Sequence, residues 1–250
     1  MNQEKHWNHI APTYNDEIFD VFASDKKKRL LRYFNKHANK HKQCIDFGCG
    51  NGKAFHYLSP RFAKVMGVDI SQKLLNQAKK LPFSNIALKR EDLTRSRLSL
   101  PKVDFVFCCN VAILPTVEQN HAILQNIKKS LKKGGTALLV VPSLESMFYS
   151  SWTLFDWYKR EGVKADNVDP SEWSGLGGKK TDIIRGLVSI NGVTTKHYTH
   201  QELEVIIARF GLTLLKIDKL EYEWKTEFSK PPRWLKDPYP WDWLVEISNP

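Results

Sequence analysis

Between residues 44 and 141, short and almost continuously apolar segments alternate with stretches of helical spacing, and this rhythm limits the fold more than any other feature. Strands without polar alternation are buried on both faces, as in a parallel sheet covered by helices. The strand-like segments are Cys44-Ile45-Asp46-Phe47, 64–70, 85–89, 103–109 and 136–141. Between them the spacing predicts a helix through Phe55 and Leu58 broken by Pro60, and one capped by Ser71 that runs through Leu74, Leu75 and Ala78 to Leu81. A further helix over 121–131 should stop at Lys132-Lys133-Gly134-Gly135, with cations at its end and glycine just beyond. Upstream, Leu30, Leu31, Tyr33 and Phe34 recur at helical spacing within 25–37.

Past Pro142 the rhythm breaks. Residues 143–198 hold an aromatic stretch from Met147 to Tyr158, a polar glycine-rich loop, and two β-forming segments joined by Asn191-Gly192, a hairpin signal. A helix over 199–210 ending at Gly211, an alternating strand over 212–224 and a strand over 241–247 complete the pattern. At 250 residues this predicts one α/β domain, 1–250, with 143–198 as an insertion after the fifth strand.

Several classes are disfavoured. The longest apolar run, 137–141, falls far short of the roughly 20 residues that span a bilayer. The first residues lack the apolar core of a secretory signal, so a cytoplasmic location is expected. Cys44, Cys49, Cys108 and Cys109 form no Cys-x-x-Cys pattern, which fits a reducing compartment. Lys plus Arg is 38 against 27 acids, a net charge of +11 that permits attraction to phosphates. The basic residues lie in short scattered groups, so nucleic acid is the less favoured partner. The pairs His6/His9, His37/His41 and His197/His200 have no third ligand at hand, and no metal site is expected.

In open parallel sheets ligands bind where strand carboxyl ends meet helix N-termini, so the loop after the first strand is the first candidate site. It reads Asp46-x-Gly48-x-Gly50-x-Gly52. A dinucleotide loop starting at Gly48 would need a third glycine at position 53, which is Lys53. Asp69 ends the second strand, where a carboxylate can accept both hydroxyls of a ribose. Asp92 ends the third; it could accept an adenine amino group while the Leu93 amide donates to a ring nitrogen and Ile70 and Leu93 flank the ring. Three successive strand ends thus describe one adenosine site.

With these residues in place the chain resembles the class I S-adenosylmethionine-dependent methyltransferases of the small-molecule type. The resemblance rests on Ile45-Asp46-Phe47-Gly48-Cys49-Gly50-Asn51-Gly52, Gly67-Val68-Asp69-Ile70-Ser71, Glu91-Asp92-Leu93 and Lys133-Gly134-Gly135. Trp7 to Asp16 also looks like the segment that many such members fold over the cofactor. The resemblance implies a Rossmann-like, seven-stranded, mostly parallel sheet with helices on both faces and its last strand antiparallel. It implies S-adenosyl-L-methionine as cofactor, S-adenosyl-L-homocysteine as product, and no metal. Tyr14 would contact the methionine end, Asp46 and the loop with Gly48, Cys49, Gly50 and Gly52 would hold its amine and carboxylate, and Asn110 would lie beside the sulfonium. Asp69, Ile70, Ser71, Asp92 and Leu93 would hold the adenosine.

The acceptor side is less defined. Residues 143–198 fall outside the resemblance and are expected to form a lid over the acceptor. His197, Tyr198 and His200, just before a helix, and Glu145, after the fifth strand, are the weak candidates for a general base. After the fourth strand the sequence is Asn110-Val111-Ala112-Ile113, without the prolines of nucleic-acid amino methylation, and no Pro-Cys supplies the nucleophile of cytosine carbon methylation. The leading expectation is methyl transfer to oxygen, nitrogen or carbon of a small molecule. The alternatives are an RNA or protein methyltransferase that uses the basic surface, and a non-catalytic S-adenosylmethionine-binding module.

Overall fold

The computed structural model describes residues 3–168, 182–190 and 193–250. The glycine-rich part of 143–198 and the Asn191-Gly192 turn lie outside these residues. One sheet contains β1 Asn39–Phe47, β2 Phe62–Asp69, β3 Ile86–Arg90, β4 Val103–Cys109, β5 Leu131–Pro142, β8 Thr213–Glu221 and β9 Trp241–Ser248. Its order is β3-β2-β1-β4-β5-β9-β8. The first five strands pair in parallel, and β9 lies antiparallel between β5 and β8. A separate antiparallel hairpin pairs β6 Leu187–Ile190 with β7 Val193–Lys196, with Ile190 opposite Val193. The helices are α1 Gln3–Ile10, α2 Tyr14–Glu17, α3 Val21–Ser24, α4 Arg29–His37, α5 Phe55–Leu58, α6 Gln72–Ala78, α7 Val117–Ser130, α8 Leu144–Arg160 and α9 His200–Arg209.

Both faces of the sheet are covered. In β4, Val106 and Cys108 join the core that Ile123 and Ile127 of α7 and Leu203 and Ile207 of α9 complete. Phe105 and Phe107 point the other way, to Leu30 and Phe34 of α4, Phe55 of α5 and Leu75 of α6. The double burial explains the unbroken apolar runs. The chain steps from β1 out to β3 and returns with β4 on the other side of β1, so a crevice opens above the carboxyl ends of β1 and β4. No helix among the described residues is long and apolar enough to cross a membrane.

Several boundaries differ from the sequence reading. The helix expected over 25–37 begins at Arg29, because the Asp25 carboxylate accepts the amides of Arg29 (3.0 Å) and Leu30 (2.9 Å) and Lys28 is left-handed at φ 51°. The helix expected over 121–131 begins earlier, at Val117, and ends at Ser130, where Leu131 is already extended and pairs with Val103. Gly134, at φ 72°, instead turns the chain within the strand that follows. The strand expected to reach Trp224 ends at Glu221; Trp224 starts a 3-10 turn and its indole donates to the Lys236 carbonyl at 2.8 Å.

Candidate active site

Asp46, next to the last residue of β1, is 3% exposed and its Oδ2 has no partner. Burial, and secondarily the charge of Asp69, pushes it up to about 8. A buried acceptor with no donor marks a position built for one, and a cationic donor would also restore its ionisation. At the end of β2, Asp69 ties the loop down: Oδ2 accepts the Gly50 amide and Oδ1 the Ser71 amide, each at 2.8 Å. Each oxygen keeps a second lone pair for a further donor, which suits a vicinal diol.

Gly50 adopts φ 54°, and a Cβ there would stand 2.5 Å from the Tyr14 hydroxyl. Tyr14 therefore lies directly over the loop, and a side chain at position 50 would push it off. Burial, then Asp69, raises the Tyr14 hydroxyl well above its ordinary range, so it stays a neutral donor. Hydrogen bonds seat the segment that carries Tyr14: Asn8 Oδ1 accepts from Ser71 Oγ (2.8 Å) and Lys73 N (3.2 Å), and Gln77 donates to the Ala11 carbonyl (2.8 Å). Ser71 Oγ also accepts the Leu74 amide at 3.2 Å, so its hydroxyl serves α6 and α1.

At the end of β3, Asp92 Oδ1 accepts the amide (2.9 Å) and hydroxyl (2.6 Å) of Thr94, closing a tight turn. Leu93 is buried, and Asn126 of α7 holds its carbonyl at 2.9 Å; Ile70 is half-buried. Asn110 follows β4 in the left-handed region at φ 54°, its amide donating to the Val140 carbonyl at 2.9 Å. Its Oδ1 is buried without a partner. Gly48, Cys49, Gly50 and Gly52 stand between Asp46 and α5, and the structure brings these residues with Tyr14, Asp69 and Asn110 to one edge of the sheet.

The four acceptor-side candidates do not gather there. The Tyr198 hydroxyl donates to the Ala112 carbonyl at 2.6 Å, and its ring belongs to the core on the α7 and α9 face. Burial drives the neighbouring His197 down to about 4. Its amide donates to the Gly186 carbonyl at 2.7 Å. Glu145 Oε1 accepts the His200 amide at 2.7 Å and so caps α9, while the His200 ring meets Trp243 edge-on at 5.5 Å. Each has a structural partner that accounts for its position.

The structure places a different acid beside Asn110. Asp242, the second residue of β9, sits opposite Pro142, and its Oδ2 accepts the Tyr222 hydroxyl at 2.8 Å. Burial raises Asp242 to about 7; Tyr222 and Asn110 favour its ionised form and the charge of Glu227 opposes it. Tyr222 belongs to the core on the α4 and α5 face, opposite Tyr198. Cys109, whose thiol burial pushes well up, feels both Asp242 and Asp46, so the two acids flank the same end of β4. The sequence signal for Asp242 is an acid set inside an otherwise buried Trp-x-Trp-Leu-Val run.

Residues 44–135 match the model of a methyltransferase domain family. The chain is 28% identical over 144 residues to the protein named "Putative methyltransferase 235L" of Invertebrate iridescent virus 6, covering 56% of this chain and 50% of that protein. It spans half or less of the length of the curated relatives it matches. Among solved structures it resembles the DhpI-SAM-HEP complex, at a TM-score of 0.64 and 14% identity, covering 98% of this chain and 95% of that one. It also resembles the N-methyltransferase NodS of Bradyrhizobium japonicum in complex with S-adenosyl-L-homocysteine, at a TM-score of 0.59, 12% identity and full coverage of both chains. The fold is Rossmann-like, with the seven-stranded sheet of these neighbours. The methyltransferase domain match lies inside that sheet, and the chain resembles S-adenosylmethionine-dependent methyltransferases in fold.

Proposed function

We propose that this protein is an enzyme that uses S-adenosylmethionine to methylate a small-molecule acceptor. The observation that carries the reading is the cradle at the carboxyl edge: the unpaired Asp46 Oδ2, the Asp69 carboxylate with lone pairs to spare, and Gly50 open beneath Tyr14. Asp46 fits the α-ammonium of the cofactor, Asp69 its ribose hydroxyls, Asp92 and Leu93 its adenine edge, and Ile70 a face of the ring. Asn110 fits the position beside the sulfonium. Solved neighbours with S-adenosylmethionine or S-adenosylhomocysteine bound support the same assignment. When bound, the cofactor supplies a methyl group already activated on sulfur, and the acceptor lone pair takes the carbon while sulfur keeps the bonding electrons.

The protein's part is then to orient the acceptor and exclude water. The segment through Tyr14 closes one side. We assign α8, within 143–198, as the lid on the other: its Ser146 hydroxyl accepts the Trp241 amide at 2.7 Å, and Tyr149 packs against Trp224 and Trp241. An aromatic wall of Tyr149, Trp224 and Trp241 beside the site favours a small acceptor over RNA or a folded protein. Basic residues near its mouth are paired with acids, Lys26 with Glu223, Lys27 with Glu221 and Lys53 with Asp20, which weakens the case for a phosphate-binding surface.

A thermal-shift titration with S-adenosylhomocysteine, S-adenosylmethionine and NAD tests the reading, since a ligand that binds only the native state raises its melting temperature. A saturable shift with the first two alone is expected. A shift with NAD alone, or none with any, overturns it.

A further inference from the structure

Beside Asp242 the unpartnered buried groups include an acceptor, Asn110 Oδ1, a hydroxyl, Ser150 Oγ, and one donor, the Trp241 indole N–H, and none is a cation. Asn110 Oδ1 is buried and unpaired. Glu227 is exposed at the surface, and Ser150 of α8, 6% exposed with no hydrogen-bond partner for its hydroxyl, lies near it. Among the described residues no lysine, arginine or histidine offsets either carboxylate. The nearby rings, Trp224 stacked on Phe228 at 5.5 Å and Phe19 edge-on to Tyr222 at 4.8 Å, add the negative faces that attract cations. Two carboxylates, Asp242 half-buried and Glu227 exposed, that no ion pair among the described residues offsets call for a ligand that brings positive charge and N–H donors together.

We propose that the cleft between Asn110, Ser150, Tyr222, Glu227 and Asp242 seats the ammonium group of the acceptor, and that Asp242 takes its proton, so that the substrate is a small amine methylated on nitrogen. The inference rests on the methyl-transfer reading above. The ammonium N–H gives its proton to an Asp242 oxygen, and the nitrogen lone pair so freed forms the bond to the methyl carbon as the carbon–sulfur bond breaks onto sulfur. The product nitrogen carries the positive charge, and Asp242 returns its proton to solvent. The Tyr222 hydroxyl and the Asn110 amide hold the carboxylate in place, while Glu227 and the Cys109 thiol are the other titratable groups near it. Because Asp242 titrates near 7, amine affinity should rise as pH passes upward through that value while the amine stays charged.

The test uses calorimetry on the full chain and measures S-adenosylhomocysteine first; if it does not bind, the methyl-transfer reading itself fails. On the loaded protein, phenethylamine, phenethyl alcohol and phenylpropionate present one shape with three head groups. The amine is expected to bind at least about tenfold more tightly than the alcohol, and more tightly with rising pH. Asp242→Asn should abolish that preference, and Glu227→Gln reduce it, with S-adenosylhomocysteine affinity unchanged as the check on folding. Equal or tighter binding of the alcohol or the carboxylate, no binding of the amine to the loaded protein, or an amine preference that survives both substitutions overturns the proposal.

Discussion

Removal of the Asp69 carboxylate would leave the Gly50 and Ser71 amides without an acceptor, at a cost of about 1–3 kcal/mol for each buried donor. Asp69→Ala should therefore weaken S-adenosylhomocysteine binding at least about tenfold in calorimetry; unchanged affinity would remove Asp69 from the cofactor site. Tyr198 gives the opposite test. Its hydroxyl bonds the Ala112 carbonyl, so Tyr198→Phe should lower stability by about 1–2 kcal/mol. Turnover of the folded variant should stay close to wild type, and a large fall in kcat at unchanged stability would restore Tyr198 as a catalytic candidate. At this scale Asp69 was legible because a strand-end acid after a glycine loop has a local signature. Asp242 was not, because its site role depends on Asn110, Tyr222 and Glu227, which lie on other elements and meet it only after β9 is inserted.

Among the polar contacts that dock the N-terminal segment are Asn8 with Ser71 and Lys73, Gln77 with Ala11, Asn51 with Asn15, and the ion pair of Arg90 with Glu4 at 2.7 Å. Asn8→Ala should loosen α1 and with it Tyr14. Faster tryptic cleavage at Lys5, reversed by saturating S-adenosylhomocysteine, is the expected outcome, and cleavage at the wild-type rate would show that other contacts hold α1. The existence and type of the elements from β1 to β5 could be read from periodicity, whereas their ends could not, and α1, α2 and α3 left no such pattern. Strand β1 extends back to Asn39 through exposed Lys-His-Lys-Gln, a run with no apolar pattern, because parallel pairing with Phe62 rather than burial makes it a strand. Likewise α7 begins at Val117, ahead of the expected 121, while its end falls within one residue of the expected 131.

For the whole molecule, the buried acids set the response to pH. Asp242 at about 7 and Asp46 at about 8 both stand above the ordinary 3.8, so the folded chain holds protons that the unfolded chain releases. That contribution is fully present below the unfolded value and is lost as pH rises through the folded ones. His37 and His197 act in the other direction: burial lowers both, and the stability they add is complete once pH exceeds their ordinary 6.5. Above 6.5 the acids remain, and the melting temperature should fall toward alkaline pH, with Asp242→Asn removing the earlier part of the fall. A wild-type profile that rises through this range would contradict the burial of the two carboxylates. The sheet has a further consequence during synthesis. Strand β9 is the last to leave the ribosome, yet it occupies an interior position between β5 and β8. Until it arrives the apolar edge of β5 stays open and β8 has no strand to pair with, so late assembly and a need for protection from aggregation are built into the strand order.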